Sequence, residues 1–171
     1  MSVRRILLVG FMGAGKSAVG RALAIELDWK FRDFDEAISA RLGLSIPRIF
    51  EEYGERAFRT MEARVGSELL GMDAVVLASG GGWACREGRL DLSEETLSIW
   101  LRVTPEVAVE RCGDDRPLLG TVEEARELLE ARLPYYEQAR WSVDSTSGSP
   151  EELAARIADE VRKNPERSLH L

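Results

Sequence analysis

Short apolar runs alternate with stretches of helical periodicity along the whole chain. Arg5–Val9 and Ala74–Ala78 are apolar strand-like runs, Ala74–Ala78 the clearest buried one in the middle of the chain. Further strands are expected at Thr96–Val103, more weakly at Trp29–Phe34, and over a short Trp141–Asp144. Between them, apolar positions recur every three to four residues over Ala18–Leu27, Glu36–Leu42, Ile46–Tyr53, Glu55–Leu70, Pro105–Arg111, Val122–Glu137 and Pro150–Lys163, the spacing of helices with one buried face. Punctuation supports the boundaries. Gly43 stops one helix, Ser45 N-caps the next with Pro47 in its first turn, Gly54 separates two more, and Thr104-Pro105 opens another. Residues Cys112–Thr121 read as loop, Ser145–Ser149 as a turn, and Asn164–Leu171 as a frayed tail. Strands alternating with helices predict an α/β domain with a parallel sheet and helices on both faces. With no repeat, linker or low-complexity tract, residues 1–171 read as a single domain.

The first strand runs into Gly10-Phe11-Met12-Gly13-Ala14-Gly15-Lys16-Ser17, and a helix follows. This is G-x-x-x-x-G-K-S in a strand–loop–helix setting, the phosphate-binding P-loop. Its glycines let backbone N–H groups turn inward on phosphate oxygens, and the helix N-terminus adds partial positive charge. Gly13, Ala14, Gly15, Lys16, Ser17 and Ala18 are therefore the nucleotide-binding candidates. Lys16 has the reach for the β- and γ-phosphates, and the Ser17 hydroxyl suits Mg²⁺. The motif predicts a nucleoside triphosphate site.

Composition narrows the partners. The chain has 171 residues, is 44% hydrophobic and 31% charged, and carries a net charge of −7, with no Lys/Arg block. That balance argues against a nucleic-acid surface and implies a local basic cleft for ATP. No run approaches the about 20 apolar residues of a membrane span. Two arginines before the first apolar run imitate a signal peptide, but the run is short and breaks at the P-loop glycines. Cys85 and Cys112 have neither metal-ligand spacing nor enough partners for a disulfide framework, so a reduced, cytoplasmic protein is expected.

Four further stretches carry candidate chemistry. Asp33-Phe34-Asp35 closes the second strand, where alternate residues share a face and both carboxylates can look towards the P-loop. One suits a hydrated Mg²⁺ and the other a proton-accepting role; the motif equally admits a solvated turn or an N-cap. Phe58, Arg59 and Glu62 share one helical face, an arrangement that also suits a plain surface ion pair. Ser79-Gly80-Gly81-Gly82 follows a buried strand and lets backbone approach a ligand, or simply turns the chain. Arg116 in Arg116-Pro117-Leu118-Leu119 sits on a loop from which it can close over phosphates, and Arg132 can complement a helix C-terminus.

Taken together and in this order, these segments resemble shikimate kinase over about Arg4–Lys163. The resemblance rests on the P-loop, Asp33-Phe34-Asp35, Ser45-Ile46-x-x-Ile49-Phe50, Gly54-Glu55-x-x-Phe58-Arg59-x-x-Glu62, the triple glycine and Arg116-Pro117-Leu118-Leu119. It implies the three-layer P-loop kinase fold, related to nucleoside monophosphate kinases, with a five-stranded parallel sheet in order 2-3-1-4-5. It implies transfer of the ATP γ-phosphate to the 3-hydroxyl of shikimate with Mg²⁺, in a monomeric protein. On this resemblance Lys16 and Arg116 act on the transferring phosphate, and Arg116 belongs to a lid at about 112–122. Ser17 and Asp33 hold the metal. Asp35 is the base. Asp35, Arg59, Gly80, Gly81, Gly82 and Arg132 bind the substrate, with Arg59 and Arg132 on its carboxylate and Met12, Phe50, Phe58 and Glu62 around it. Arg111 and the Asp144–Pro150 loop fall where the family holds adenine.

Three positions depart from the family pattern. Ala18 stands where a threonine is common. Trp83 stands where a small or aliphatic residue is usual, with bulk that can crowd the acceptor. Arg132-Leu133-Pro134-Tyr135-Tyr136 replaces Arg-x-Pro-Leu-Tyr. A related kinase acting on an acidic sugar such as gluconate, and a nucleotide-binding protein that has lost turnover, remain as alternatives.

Overall fold

The structure, a computed structural model, describes residues 3–112, 121–163 and 169–170. Its centre is β1 (Arg5–Val9), every residue of which is buried. It pairs in parallel with β3 (Val75–Ala78) on one side and β4 (Thr96–Arg102) on the other, Leu7 facing Leu77 and Ser98. β2 (Lys30–Asp33) extends the sheet beyond β3, and β5 (Trp141–Asp144) extends it beyond β4. The expected order 2-3-1-4-5 is thus found, all parallel. One strand more is present: Leu169–His170, inside the segment expected to fray, pairs with Trp141 and Ser142 as a two-residue β6.

The helices are α1 (Lys16–Leu27), α2 (Phe34–Leu42), α3 (Ile46–Leu69), α4 (Pro105–Cys112), α5 (Val122–Tyr136) and α6 (Pro150–Lys163). They cover both faces of the sheet, which is why β3 and all of β1 after Arg5 are continuously apolar rather than alternating. α6 buries Leu153, Ala154, Ile157, Ala158 and Val161 and packs along α1. α3 holds the two helices expected from the sequence, joined through a kink at Gly54 (φ 75°, ψ 169°). α5 opens with a full capping box, in which Thr121 Oγ1 accepts from Glu124 N–H and Glu124 accepts from Thr121 N–H.

α2 begins two residues earlier than its periodicity suggests. Asp33 is its N-cap, and its carboxylate accepts from the backbone of Asp35 and Glu36 at 2.9 and 3.3 Å. Asp33 and Asp35 therefore do not share a strand face; they flank a strand-to-helix junction, and the cap forms because two orphan N–H groups need an acceptor.

Trp83 is placed differently from expectation. It is 2% exposed, meets Phe34 edge-on at 5.3 Å between ring centroids, and lies over Gly66 of α3. It fills the core beneath the site rather than crowding the acceptor. A Cβ on Gly66 would stand 2.7 Å from Trp83 Nε1 and 2.9 Å from the Phe34 ring. Gly66→Ala is therefore expected to lower stability by about 1–3 kcal/mol, as overpacking does. Urea melts of Gly66→Ala alone and combined with Trp83→Leu check this, since the second change should restore part of the loss.

Candidate active site

The P-loop leaves the C-terminal end of β1 and wraps the start of α1. Gly15 is the N-cap of α1 in the left-handed conformation, and no side chain caps it, so the first-turn N–H groups point to the loop interior. Lys16 arches back over the loop, its ammonium donating to the carbonyls of Gly10 and Phe11 at 2.8 Å each. That fold-back sets its charge at the mouth of the loop. Gly13 must stay a glycine: its φ is +73°, and a Cβ would meet the Ala108 carbonyl of α4 at 2.6 Å. Arg111, at the end of α4, donates to the carbonyls of Gly13 and Thr146 at 3.3 and 3.2 Å. It thereby ties the P-loop to the loop after β5, where Asp144 accepts from Thr146 N–H and is held below the usual carboxylate range by that bond.

The Ser17 hydroxyl donates to Asp33 Oδ2 at 2.6 Å, so the helix cap and the P-loop helix share one carboxylate. Asp35, in the first turn of α2, turns the other way, over the triple glycine. A Cβ on Gly80 would lie 3.2 Å from Asp35 Oδ1 and 2.8 Å from Glu62 Oε1. Two carboxylates from different helices converge above one backbone position.

The other two glycines make the same kind of contact. A Cβ on Gly81 would lie 3.2 Å from Met12 Cγ and 3.8 Å from an Arg132 nitrogen; one on Gly82 would lie 3.3 Å from both terminal nitrogens of Arg59. Ser79 anchors the run, its N–H and hydroxyl both donating to the Leu8 carbonyl. The triple glycine is thus a floor on which Asp35, Glu62, Arg59, Arg132 and Met12 stand together, and close approach explains each glycine.

Arg59 donates to Glu62 at 2.9 Å and to Glu55 at 3.4 Å. Glu62 is 3% exposed, so this is no solvated surface pair. Partial burial pulls the Arg59 pKa down, but the hydrogen bond and charge of Glu62, helped by Glu55, outweigh it and hold it above its ordinary value. Phe58 and Phe50 stack beneath at 4.4 Å between centroids. From α5, Arg132 lies over the Phe11 ring and donates to the Gly81 carbonyl at 3.3 Å.

Tyr136, whose only signal in the sequence is its place in Arg132-Leu133-Pro134-Tyr135-Tyr136, belongs to this group. Its hydroxyl donates to the same Gly81 carbonyl at 2.5 Å, and burial, then the neighbouring Cys85, push its pKa well above the usual range. Its spacing of four from Arg132 on α5 puts both on one helical face, which is the signal that finds it. Arg116 and most of the expected lid lie outside the described residues. Among the described residues, no helix is long and apolar enough to cross a membrane.

The family model described as shikimate kinase matches residues 12–162. This chain belongs to the shikimate kinase family. It is 47% identical over 148 residues to a shikimate kinase of Nitrobacter winogradskyi, covering 83% of this chain and 69% of that protein. It is 40% identical over 164 residues to the shikimate kinase of Persephonella marina, covering 94% and 100% of the two chains. Among solved structures it is similar to shikimate kinase from Acinetobacter baumannii in complex with shikimate, with a TM-score of 0.88 and 37% identity over 95% of this chain and 94% of that one.

Proposed function

We infer that this chain is a shikimate kinase, transferring the γ-phosphate of ATP to the 3-hydroxyl of shikimate. The observation that carries this reading is the glycine floor, which sets two carboxylates, Asp35 and Glu62, and two arginines, Arg59 and Arg132, side by side next to the P-loop. A phosphoryl-transfer site needs little else: a phosphate cradle, a held hydroxyl, and a group to take its proton. We assign the nucleotide phosphates to Gly13–Ala18, with Lys16 steadying the transferring group, and the nucleotide's outer face to Arg111 and residues 144–150. Asp35 takes the attacking hydroxyl and its proton. Arg59 and Arg132 grip the acceptor carboxylate, since planar guanidinium forks match carboxylates. Tyr136 positions the floor through Gly81. We assign Arg116 to closure over the phosphates.

Ser17 and Asp33 present a hydroxyl and a carboxylate oxygen, hard donors beside the phosphate cradle, and this set fits Mg²⁺ held largely through water. When bound, Mg²⁺ supplies neutralisation of phosphate charge. We place the protein in the cytoplasm as a monomer; its two cysteines are free thiols, as a reducing compartment allows.

A coupled ADP-release assay with shikimate, with gluconate and with no acceptor tests the reading. Turnover that depends on shikimate and not on gluconate is expected. Preference for gluconate, or release independent of acceptor, would overturn it.

Ala18 lies in the first turn of α1, exposed and one residue past Ser17. A hydroxyl there adds one charge-assisted hydrogen bond to the α-phosphate, worth about 1.5–3 kcal/mol at best. Water recovers part of that, so Ala18→Thr is expected to tighten ATP and ADP only a few-fold. The α-phosphate keeps its charge through transfer, so kcat should hold while the ATP KM falls. Calorimetry and steady-state kinetics check both; unchanged nucleotide affinity would turn position 18 away from the phosphates.

A further inference from the structure

Beyond Arg59, on the outer side of α3, lies an open groove of about 730 Å³. Its walls are Arg56, Arg59 and Thr60 of α3 and Arg86 and Arg89 of the segment after the triple glycine, with Glu55 at one end. Four arginines around one groove stand out in a chain of net charge −7. Outside the groove, Arg4, Arg21, Arg41, Arg64 and Arg126 each pair with a carboxylate, and Arg32, Arg111, Arg132 and Arg140 donate to backbone carbonyls. Among the described residues, Arg56 and Arg86 have no side-chain hydrogen bond and no carboxylate partner, and Arg89 has only the face of Trp83 at 5.3 Å. Glu55, the one acid in the groove, is engaged by Arg59.

We propose that this groove is a second anion-binding site for a small molecule bearing several phosphate or carboxylate groups, and that it shares Arg59 with the acceptor site. Its volume falls in the range of small-molecule sites, about 300–1,000 Å³. Convergent guanidinium forks select planar or tetrahedral oxyanions, and a concave basic wall on an acidic protein focuses them. Arg59 faces both ways: its terminal nitrogens stand over Gly82 and its Nε faces Glu55 at the groove. An anion seated in the groove draws on the guanidinium that the acceptor carboxylate uses, so the two ligands compete. That competition rests on the assignment of Arg59 to the acceptor; anion binding by the groove does not.

The test titrates inorganic phosphate and, separately, propane-1,2,3-tricarboxylate into the chain saturated with ADP, so that the P-loop is filled. At least one probe should bind, and the double variant Arg56→Ala/Arg86→Ala should bind it about ten-fold more weakly, as expected for lost charge-assisted bonds. The tighter probe identifies the headgroup. Without probe, the double variant should keep kcat and both KM values within about two-fold, since neither arginine touches the acceptor floor. With probe, the shikimate KM should rise in the unsubstituted chain and much less in the double variant. Arg86→Glu alone, at an exposed unpartnered position, should reproduce the binding loss. No binding of either probe, or equal binding by the double variant, would overturn the proposal. A shikimate KM that rises in the double variant without probe would assign these arginines to the acceptor instead. Probe binding that depends on Arg56 and Arg86 in a chain inactive on shikimate would sink the kinase reading and leave the groove site standing.

Discussion

Asp35→Asn is expected to lose about 10²–10⁴-fold in turnover while still binding ATP, the usual scale for removing a positioned general base. The substitution keeps the size and shape of the side chain over Gly80 while removing its negative charge and with it the ability to take a proton. It leaves the N-cap intact, because that bond runs from the backbone N–H of residue 35 to Asp33 Oδ1. It also leaves the Ser17–Asp33 pair untouched, so nucleotide affinity should hold. Single-turnover kinetics, ATP titration and a thermal melt on the same variant separate the three properties. Near-normal turnover would remove Asp35 from the mechanism.

Arg59→Ala and Arg132→Ala should each weaken shikimate binding by about 2–5 kcal/mol, the scale for truncating one arm of a buried charge-assisted contact, with the ATP KM much less affected. The structure makes the two variants unequal in a second respect. Removing Arg59 strands Glu62, a carboxylate 3% exposed that loses its 2.9 Å partner. An uncompensated buried charge is destabilising, so Arg59→Ala should also melt lower. Removing Arg132 costs its contact with the Phe11 ring and a hydrogen bond to a carbonyl that Tyr136 still satisfies, and strands no buried charge. Arg59→Lys retains a charge beside Glu62 but not the fork, so it should recover stability more than shikimate affinity. A fall in Tm for Arg132→Ala equal to that of Arg59→Ala, or equal damage to both substrates, would contradict this arrangement.

The P-loop, the alternation of strands and helices and the helix boundaries near Gly43, Ser45 and Gly54 were legible in the sequence because each rests on local chemistry, whereas the strand order 2-3-1-4-5 came from the family resemblance. Glycines with positive φ, capping side chains and apolar runs act within a few residues, and their signatures stay in the order of the chain. The same locality left Asp33-Phe34-Asp35 open between two readings. Strand alternation and a helix cap both fit three residues, and the cap won because the first turn of α2 has donors to satisfy.

Which side chains meet was not disclosed by local pattern; only the family resemblance grouped them. The floor at Gly80, Gly81 and Gly82 gathers Asp35 from α2, Arg59 and Glu62 from α3, Met12 from the P-loop and Arg132 from α5. Trp83 follows that floor directly, yet the space left by Gly66 and the edge of Phe34 draw it into the core, away from the acceptor. Arg86 and Arg56, thirty positions apart, share a groove only because α3 packs beside the turn after β3. The sequence by itself determined the phosphate cradle and the layered sheet, since hydrogen bonding and hydrophobic period over a few residues specify both. Only the tertiary structure decided the acceptor floor, the course of Trp83 and the arginine groove, because long-range packing sets where distant segments come together.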